Sequence, residues 1–190
     1  APRFLVTAAP MPAPSAALER LLGLGLADDW GEHRQVAHAA ANPLARPLVR
    51  PPDDAEARAI AAAALPGLAA AWRHADGAFD RDGRTVELAR LALLAPASDP
   101  ALLCASVAAA ASYLFDSEND ARRAHATLLQ PALARLEAQK AVPTVGLLLV
   151  ASDCAERLGE SAAHDRCLTL LAQHGGAGGD RGSVLLRQAR

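Results

Sequence analysis

Two neighbouring stretches of the chain decide the fold. The first reads DPALLCASVAAAASYLFDSENDARRAHATLL over residues 99–129, and the second reads PTVGLLLVASDCAERLGESAAHDRCLTLL over residues 143–171. In each, apolar residues recur at intervals of three and four, and a polar turn separates two such segments. This is the pattern of two amphipathic helices joined by a short connection. Each stretch is therefore predicted to form an antiparallel helical hairpin.

The first hairpin carries its own start and turn signals. Asp99 is a favoured N-cap residue, and Pro100 suits the first position of a helix. The polar cluster at residues 116–120 predicts a turn, in which Ser117 caps the second helix. Pro131 is expected to interrupt that helix because proline lacks an N–H group. The side chains predicted to face the core are those of Leu103, Val107, Ala110, Leu114, Ala121, Ala124, Leu128 and Ala132.

The second hairpin repeats the plan. Pro143 lies near its start, the turn falls at residues 158–161 with Gly159 at its centre, and the return helix runs to His174. The predicted core positions are Val145, Leu148, Leu149, Ser152, Ala163, Cys167, Leu170 and Leu171.

An offset of 42 residues relates several segments of the chain. It superposes the second helices of the two hairpins, and it also relates GLADDW at residues 25–30 to GLAAAW at residues 67–72. A period near 42 made of helix pairs is typical of α-solenoids. The sequence thus predicts an all-α fold of antiparallel helical hairpins in a short α-solenoid-like right-handed stack, similar in architecture to TPR and HEAT arrays. The alternative is a single closed helical bundle.

Composition supports a helical fold and excludes several function classes. Of the 190 residues, 52% are hydrophobic but only 3% aromatic, so alanine, leucine and valine must build the core. A net charge of −2 provides no field that attracts nucleic acid or anionic lipid. The longest apolar run of the C-terminal half, at residues 145–151, is too short for membrane insertion. Three cysteines without a secretion signal favour a reducing compartment, and the predicted location is cytoplasmic.

The predicted domain organisation has three parts. Residues 1–14 form an extended N-terminal arm, residues 15–174 form an all-helical repeat-like domain, and residues 175–190 form a flexible Gly-rich linker and C-terminal tail. Residues 183–190 could form one or two helical turns on a surface. Within the domain, Asp53 with Glu56 predicts a capping box, and Pro66 is expected to kink or divide the helix that follows.

Candidate metal and thiol sites are weak. His164 and Cys167 are neighbours on one helix, with Cys154 on the paired helix, so that a zinc site or an activated thiol can be drawn. Cysteine is among the most buried residue types, however, and no CxxC spacing is present. The aspartates at positions 76, 80 and 82 lack the spacing of a calcium loop and are interpreted as a solvated turn within residues 74–83. No metal and no cofactor are predicted.

Two function classes remain. The first is a non-catalytic protein–protein interaction, adaptor or scaffold module that binds another protein or a peptide and no nucleic acid, with its oligomeric state left open. Its candidate binding residues are Asp28, Asp29, Trp30, His33, Arg122 and Arg123. The second is a helical enzyme or small-ligand-binding domain. Its pocket would lie near Trp30, His33, His38 and Trp72. Trp30 is expected to be partly exposed, and Trp72 is expected to pack at the end of a helix.

Overall fold

The structure, a computed structural model, describes residues 53–115 and 118–174. All regular secondary structure in these ranges is helical, and the β-type pairing within them is one isolated bridge between Arg73 and Phe79. The all-α prediction is therefore confirmed for this part of the chain. The arm at residues 1–14 and the tail at residues 175–190 lie outside the described residues. The chain divides into two compact units, one of residues 1–72 with 94–97, and one of residues 73–93 with 98–190.

In the first unit, helix α1 spans Asp54–Trp72. It begins with the predicted capping box, in which the Glu56 N–H donates to Asp53 Oδ1 at 2.9 Å and the Asp53 N–H donates to Glu56 Oε2 at 3.1 Å. Pro66 lies inside the helix and does not divide it. Trp72 is the last residue of α1, as predicted, and its side chain is partly buried.

The second unit contains the remaining helices. They are α2 (Gly83–Leu94, whose last residue belongs to the first unit), α3 (Pro100–Tyr113), α4 (Glu118–Ala124), a π-helical segment (His125–Leu129), α5 (Gln130–Ala138), α6 (Val145–Arg157) and α7 (Ser161–His174). The closest pairing joins α6 to α7. Helix α3 packs against α6, the π-helical segment and α5, and α4 also contacts α6.

Side-chain caps start α3 and α6 where the sequence predicts helix starts. The Asp99 carboxylate accepts hydrogen bonds from the N–H groups of Ala101 and Leu102, and Pro100 follows it directly. Thr144 Oγ1 accepts from the Leu147 N–H at 3.4 Å. Each cap satisfies N–H groups that the first turn of a helix leaves unpaired.

Pro131 changes the helix that contains it without ending it. The five residues from His125 to Leu129 are π-helical, and the Gln130 N–H bonds to the His125 carbonyl five residues earlier. A wider turn before a proline accommodates the residue that lacks an N–H group, and α5 continues directly through Pro131 to Ala138. The expected interruption is thus a local widening of the helix.

Helices α5 and α6 end in the same way. After α6, Gly159 has φ of +70°, its N–H bonds to the Glu156 carbonyl, and the Glu160 N–H bonds to the Ala155 carbonyl. After α5, Lys140 has φ of +54°, with matching bonds to the Glu137 and Leu136 carbonyls from residues 140 and 141. Both are Schellman motifs. The turn at Gly159 is as predicted. The helix end at Lys140 was not predicted from the sequence, because lysine rarely adopts this conformation.

The core of the second unit matches most of the predicted positions. Buried residues among the predicted ones are Leu103, Val107, Ala110, Ala121, Ala124, Leu128, Ala132, Leu148, Ser152, Cys167 and Leu171. Leu114, Val145, Leu149, Ala163 and Leu170 are only partly buried. No helix among the described residues is both long and apolar enough to span a bilayer.

The segment between α1 and α2 is a loop, as predicted, and its aspartates serve local structure. Asp82 Oδ1 accepts from the Thr85 N–H at 3.0 Å and so caps α2, while Asp82 Oδ2 pairs with Arg84 Nε at 2.7 Å. Asp80 pairs with His74 at 2.9 Å. Partial burial by itself would raise the pKa of Asp82, but the Thr85 hydrogen bond and Arg84 outweigh it, and the pKa is lowered from its ordinary value.

Candidate functional site

The second unit contains a cleft of about 640 Å³ between α5 and α7. Its volume is within the range of about 300–1,000 Å³ that is typical of ligand-binding sites. One wall is formed by the π-helical segment and α5, and the other by α7. The loop that joins α5 to α6 closes one side, and Ala151 of α6 contributes from below.

The walls are mostly apolar and are built from small side chains. Leu133 and Leu170 are partly buried, and each packs against the fully buried pair Leu148 and Leu171. The remaining apolar lining is largely alanine, from Ala134, Ala141, Ala151, Ala162 and Ala163. The cleft exists because these alanines face a space that larger side chains would fill.

Charged and polar groups border this apolar space. Arg166 Nη2 of α7 lies 2.9 Å from Glu137 Oε2 of α5, so an exposed ion pair joins the two walls. His125 is 7% exposed, and its Nδ1 lies 3.4 Å from Glu160 Oε2. His174, the last residue of α7, is also part of the lining.

The loop after α5 places an apolar residue at the edge of the cleft. The Schellman motif at Lys140 turns the chain out of α5, and Val142 follows with 56% of its surface exposed. Val142 and Pro143 both line the cleft. An exposed valine beside an apolar cleft extends the surface that a bound molecule could cover.

Cys154, Cys167 and His164 do not form a reactive site. Cys154 is fully buried, its thiol donates to the Ala121 carbonyl, and burial together with Glu160 raises its pKa to about 11. Burial also raises the pKa of Cys167, which lines the cleft. His164 Nδ1 lies 3.0 Å from Ser152 Oγ, but Ser152 is fully buried. A thiol with a raised pKa is a poor nucleophile at neutral pH.

Metal binding finds no support in this part of the chain. His164 is hydrogen-bonded to Ser152, and Cys154 is hydrogen-bonded to the Ala121 carbonyl of α4. Two of the three candidate zinc ligands therefore have other partners. Across residues 53–115 and 118–174, no three His, Cys, Asp or Glu side chains converge as a metal site requires. All three cysteines are unpaired and buried.

The sequence-predicted binding residues that the structure describes, Arg122 and Arg123, do not line this cleft. Asp28, Asp29, Trp30, His33 and His38 lie outside the described residues, so the site proposed around them stays a prediction. Arg122 and Arg123 are exposed on α4.

The residues that form the cleft were predicted as core positions or were not singled out. Leu133, Ala163, Leu170 and His174 belong to apolar faces visible in the sequence, but Ala134, Glu137, Val142 and Arg166 carried no separate signal. A usable signal is the placement of alanines beside those leucines on two helices that face each other across a cleft. Recognising it requires knowledge of which helices pack.

Over residues 53–115 and 118–174, fold and cleft together define an all-helical structure with an apolar, charge-bordered groove between two helices. Comparison with protein-family models, with curated proteins and with solved structures finds no match to this chain.

Proposed function

We propose that this protein is a non-catalytic interaction module that binds a short amphipathic helix of a partner protein in the cleft between α5 and α7. The observation that carries the proposal is the cleft itself, an apolar groove with the π-helical segment and α5 on one side and α7 on the other. Helix-in-groove binding needs a groove of this kind for the apolar face of the incoming helix.

The lining defines the chemistry of the partner. Apolar side chains of the incoming helix would cover Leu133, Leu170 and Val142, and the wall alanines leave room for them. Glu137 and Arg166 would meet charged residues at the edge of that apolar face. Because their ion pair is exposed, it is worth only about 0–1 kcal/mol and can exchange for pairs with the partner.

We further propose that the helical pairs stack as a short right-handed α-solenoid-like array in a reducing compartment such as the cytoplasm. Two long-range hydrogen bonds join residues whose separation in the sequence equals the 42-residue offset. Arg135 Nη1 donates to the Leu93 carbonyl and Arg157 Nη1 to the Phe115 carbonyl, each 42 residues earlier. In a solenoid, each repeat contacts the next at one period.

The experiment is a peptide selection on the full chain. A displayed library of random peptides, long enough for about three helical turns, is enriched on the wild-type protein, and selected peptides are measured by fluorescence polarisation. The variant Ala134→Glu places a charged side chain in the cleft, and Ala138→Glu makes the same change at an exposed alanine of α5 outside it.

We expect Ala134→Glu to weaken binding of the selected peptides roughly tenfold or more, and a tenfold loss corresponds to about 1.4 kcal/mol of binding free energy. The same peptides should bind Ala138→Glu like the wild type. If the selected peptides bind Ala134→Glu with the same affinity as Ala138→Glu, the binding surface lies elsewhere and the proposal is contradicted.

A further inference from the structure

One charged side chain interrupts each apolar wall of the cleft. Of the described residues that line it, Glu137 and Arg166 are the ones that carry a carboxylate or a guanidinium group. Glu137 lies one helical turn after Ala134 on α5, and Arg166 lies one turn after Ala163 and one turn before Leu170 on α7. A helix that lies along the groove and contacts these apolar neighbours therefore passes both charges.

The two charges meet across the cleft. Arg166 Nη2 lies 2.9 Å from Glu137 Oε2, and the two side chains are 64% and 68% exposed. Because one comes from each wall, a helix that reaches the apolar surface between the walls must separate them. Each charge then faces a different flank of the bound helix. Glu137 faces the flank next to α5, and Arg166 faces the flank next to α7.

The separated charges favour one distribution of charge on the partner helix. A basic side chain on the flank next to α5 pairs with Glu137, and an acidic side chain on the flank next to α7 pairs with Arg166. A helix with acidic residues on both flanks brings one of them against Glu137. A helix with basic residues on both flanks brings one of them against Arg166. Like-charge contacts of this kind discriminate against wrong partners.

We infer that the partner helix carries acidic residues along one flank of its apolar face and basic residues along the other, and that Glu137 and Arg166 select this arrangement. The inference rests on the proposed function, since it defines the partner of the same groove. In heptad terms, the flanks of an apolar stripe at a and d are the e and g positions. Reversing the helix exchanges its flanks, so the same charges also set the direction in which it binds.

The test uses the full chain and three versions of one library-selected peptide that binds it. The versions differ only at the flanks of the apolar face. The mixed peptide has acidic residues on one flank and basic residues on the other, the acidic peptide has acidic residues on both, and the basic peptide has basic residues on both. Each is titrated into the wild type, Glu137→Lys, Arg166→Glu and the variant that combines these two substitutions.

Two control variants make the same charge changes at exposed positions that do not line the cleft. Glu156→Lys on α6 matches Glu137→Lys, and Arg123→Glu on α4 matches Arg166→Glu. Each control alters the net charge of the protein as its counterpart does. A preference that depends on overall charge alone therefore appears in the controls as well.

We expect the wild type to bind the mixed peptide roughly fivefold more tightly than the acidic or the basic one, since two flank contacts change from attraction to repulsion or the reverse. Glu137→Lys should prefer the acidic peptide, and Arg166→Glu should prefer the basic one. The double variant should again prefer the mixed peptide, and both controls should behave like the wild type. At about 1 M salt, where the screening length is about 3 Å, these preferences should disappear.

Equal affinity of the wild type for the three peptides overturns the inference, and so does a change of preference in the controls that equals the change in Glu137→Lys and Arg166→Glu. If these peptides still lose affinity in Ala134→Glu, the proposed function stands without charge selection. If their binding does not depend on Ala134, or if no library peptide binds, both proposals fail.

Discussion

Two residues end their helices in the left-handed conformation, and they differ in how well they suit it. Gly159 adopts φ of +70° without a side chain, while Lys140 adopts φ of +54° with one. A Cβ atom makes this conformation less favourable by roughly 1–2 kcal/mol. The chain therefore carries backbone strain at Lys140, the residue that turns the chain out of α5 towards the cleft.

We predict that Lys140→Gly raises the free energy of unfolding by about 1 kcal/mol and that Gly159→Ala lowers it by about 1 kcal/mol. A Cβ added at Gly159 meets no heavy atom within 4 Å, so the cost at that position is conformational. Urea denaturation of the three proteins measures both changes. Loss of stability in Lys140→Gly would show that the lysine side chain contributes more than its backbone conformation costs.

Asp82 is a residue whose protonation bears on a helix start. Its carboxylate caps α2, and its pKa is lowered in the folded protein. The lowered pKa means that the folded state favours the charged form. The resulting stabilisation is present above the ordinary carboxyl pKa and is lost as the pH falls through the lowered, folded-state value.

We predict that Asp82→Ala lowers the free energy of unfolding at pH 7 by about 1 kcal/mol, because it removes the cap. Asp82→Asn keeps a capping side chain but cannot titrate. The stability difference between the wild type and Asp82→Asn should therefore shrink as the pH falls from 7 to below about 4. Denaturation curves at both pH values provide the measurement, and a difference that does not change with pH would contradict the assigned role of the charge.

At the scale of helices, arginines connect elements by binding the carbonyl ends of others. Arg135 on α5 donates to the Leu93 carbonyl at 2.6 Å and to the Ala92 carbonyl at 3.4 Å, both in the last turn of α2. Carbonyls in the last turn of a helix have no partner within it. A cation placed there also interacts favourably with the helix dipole.

We predict that Arg135→Met lowers the free energy of unfolding by about 1–2 kcal/mol, since methionine keeps much of the apolar stem but loses the charged donors. Arg123→Met, on the exposed side of α4, serves as the control and should change stability by less than about 0.5 kcal/mol. Thermal unfolding of both variants tests the contrast. Equal effects of the two substitutions would show that the hydrogen bonds from Arg135 to the Leu93 and Ala92 carbonyls contribute nothing to stability.

At the scale of the whole molecule, the second unit is held together beneath the cleft by leucine packing. Leu148 of α6 and Leu171 of α7 are fully buried, and Leu133 of α5 packs against them. Three helices therefore meet at one cluster. The same cluster supports the apolar floor of the proposed binding groove.

We predict that Leu148→Ala and Leu171→Ala each lower the free energy of unfolding by about 2–5 kcal/mol, because each leaves a cavity. The double variant should differ from the sum of the single effects by at least about 0.5 kcal/mol, as expected for residues in contact. Val142→Ala, at an exposed position, should cost less than about 0.5 kcal/mol. If the effects of the two substitutions on the free energy of unfolding are strictly additive, Leu148 and Leu171 do not share a cluster.

The sequence by itself determined the helices and most of their starts and buried faces. The caps at Asp53, Asp99 and Thr144 and the turn at Gly159 each depend on residues no more than five positions apart, so their signals are local. Spacings of three and four between apolar residues likewise identified several of the buried positions of α3 and α4. The period of 42 remains a prediction of the sequence for the stacking of the helical pairs.

Only the tertiary structure decided where the cleft lies. Ala134 and Ala162 lie on helices that are separated in the sequence by the whole of α6, and nothing local distinguishes an alanine that faces a groove from one that faces a neighbouring helix. The stop at Lys140 was likewise not predicted, because lysine rarely adopts a positive φ. Hydrogen bonding within a helix is settled by neighbours in the chain, whereas an open volume is settled by the side chains of helices that meet only after folding.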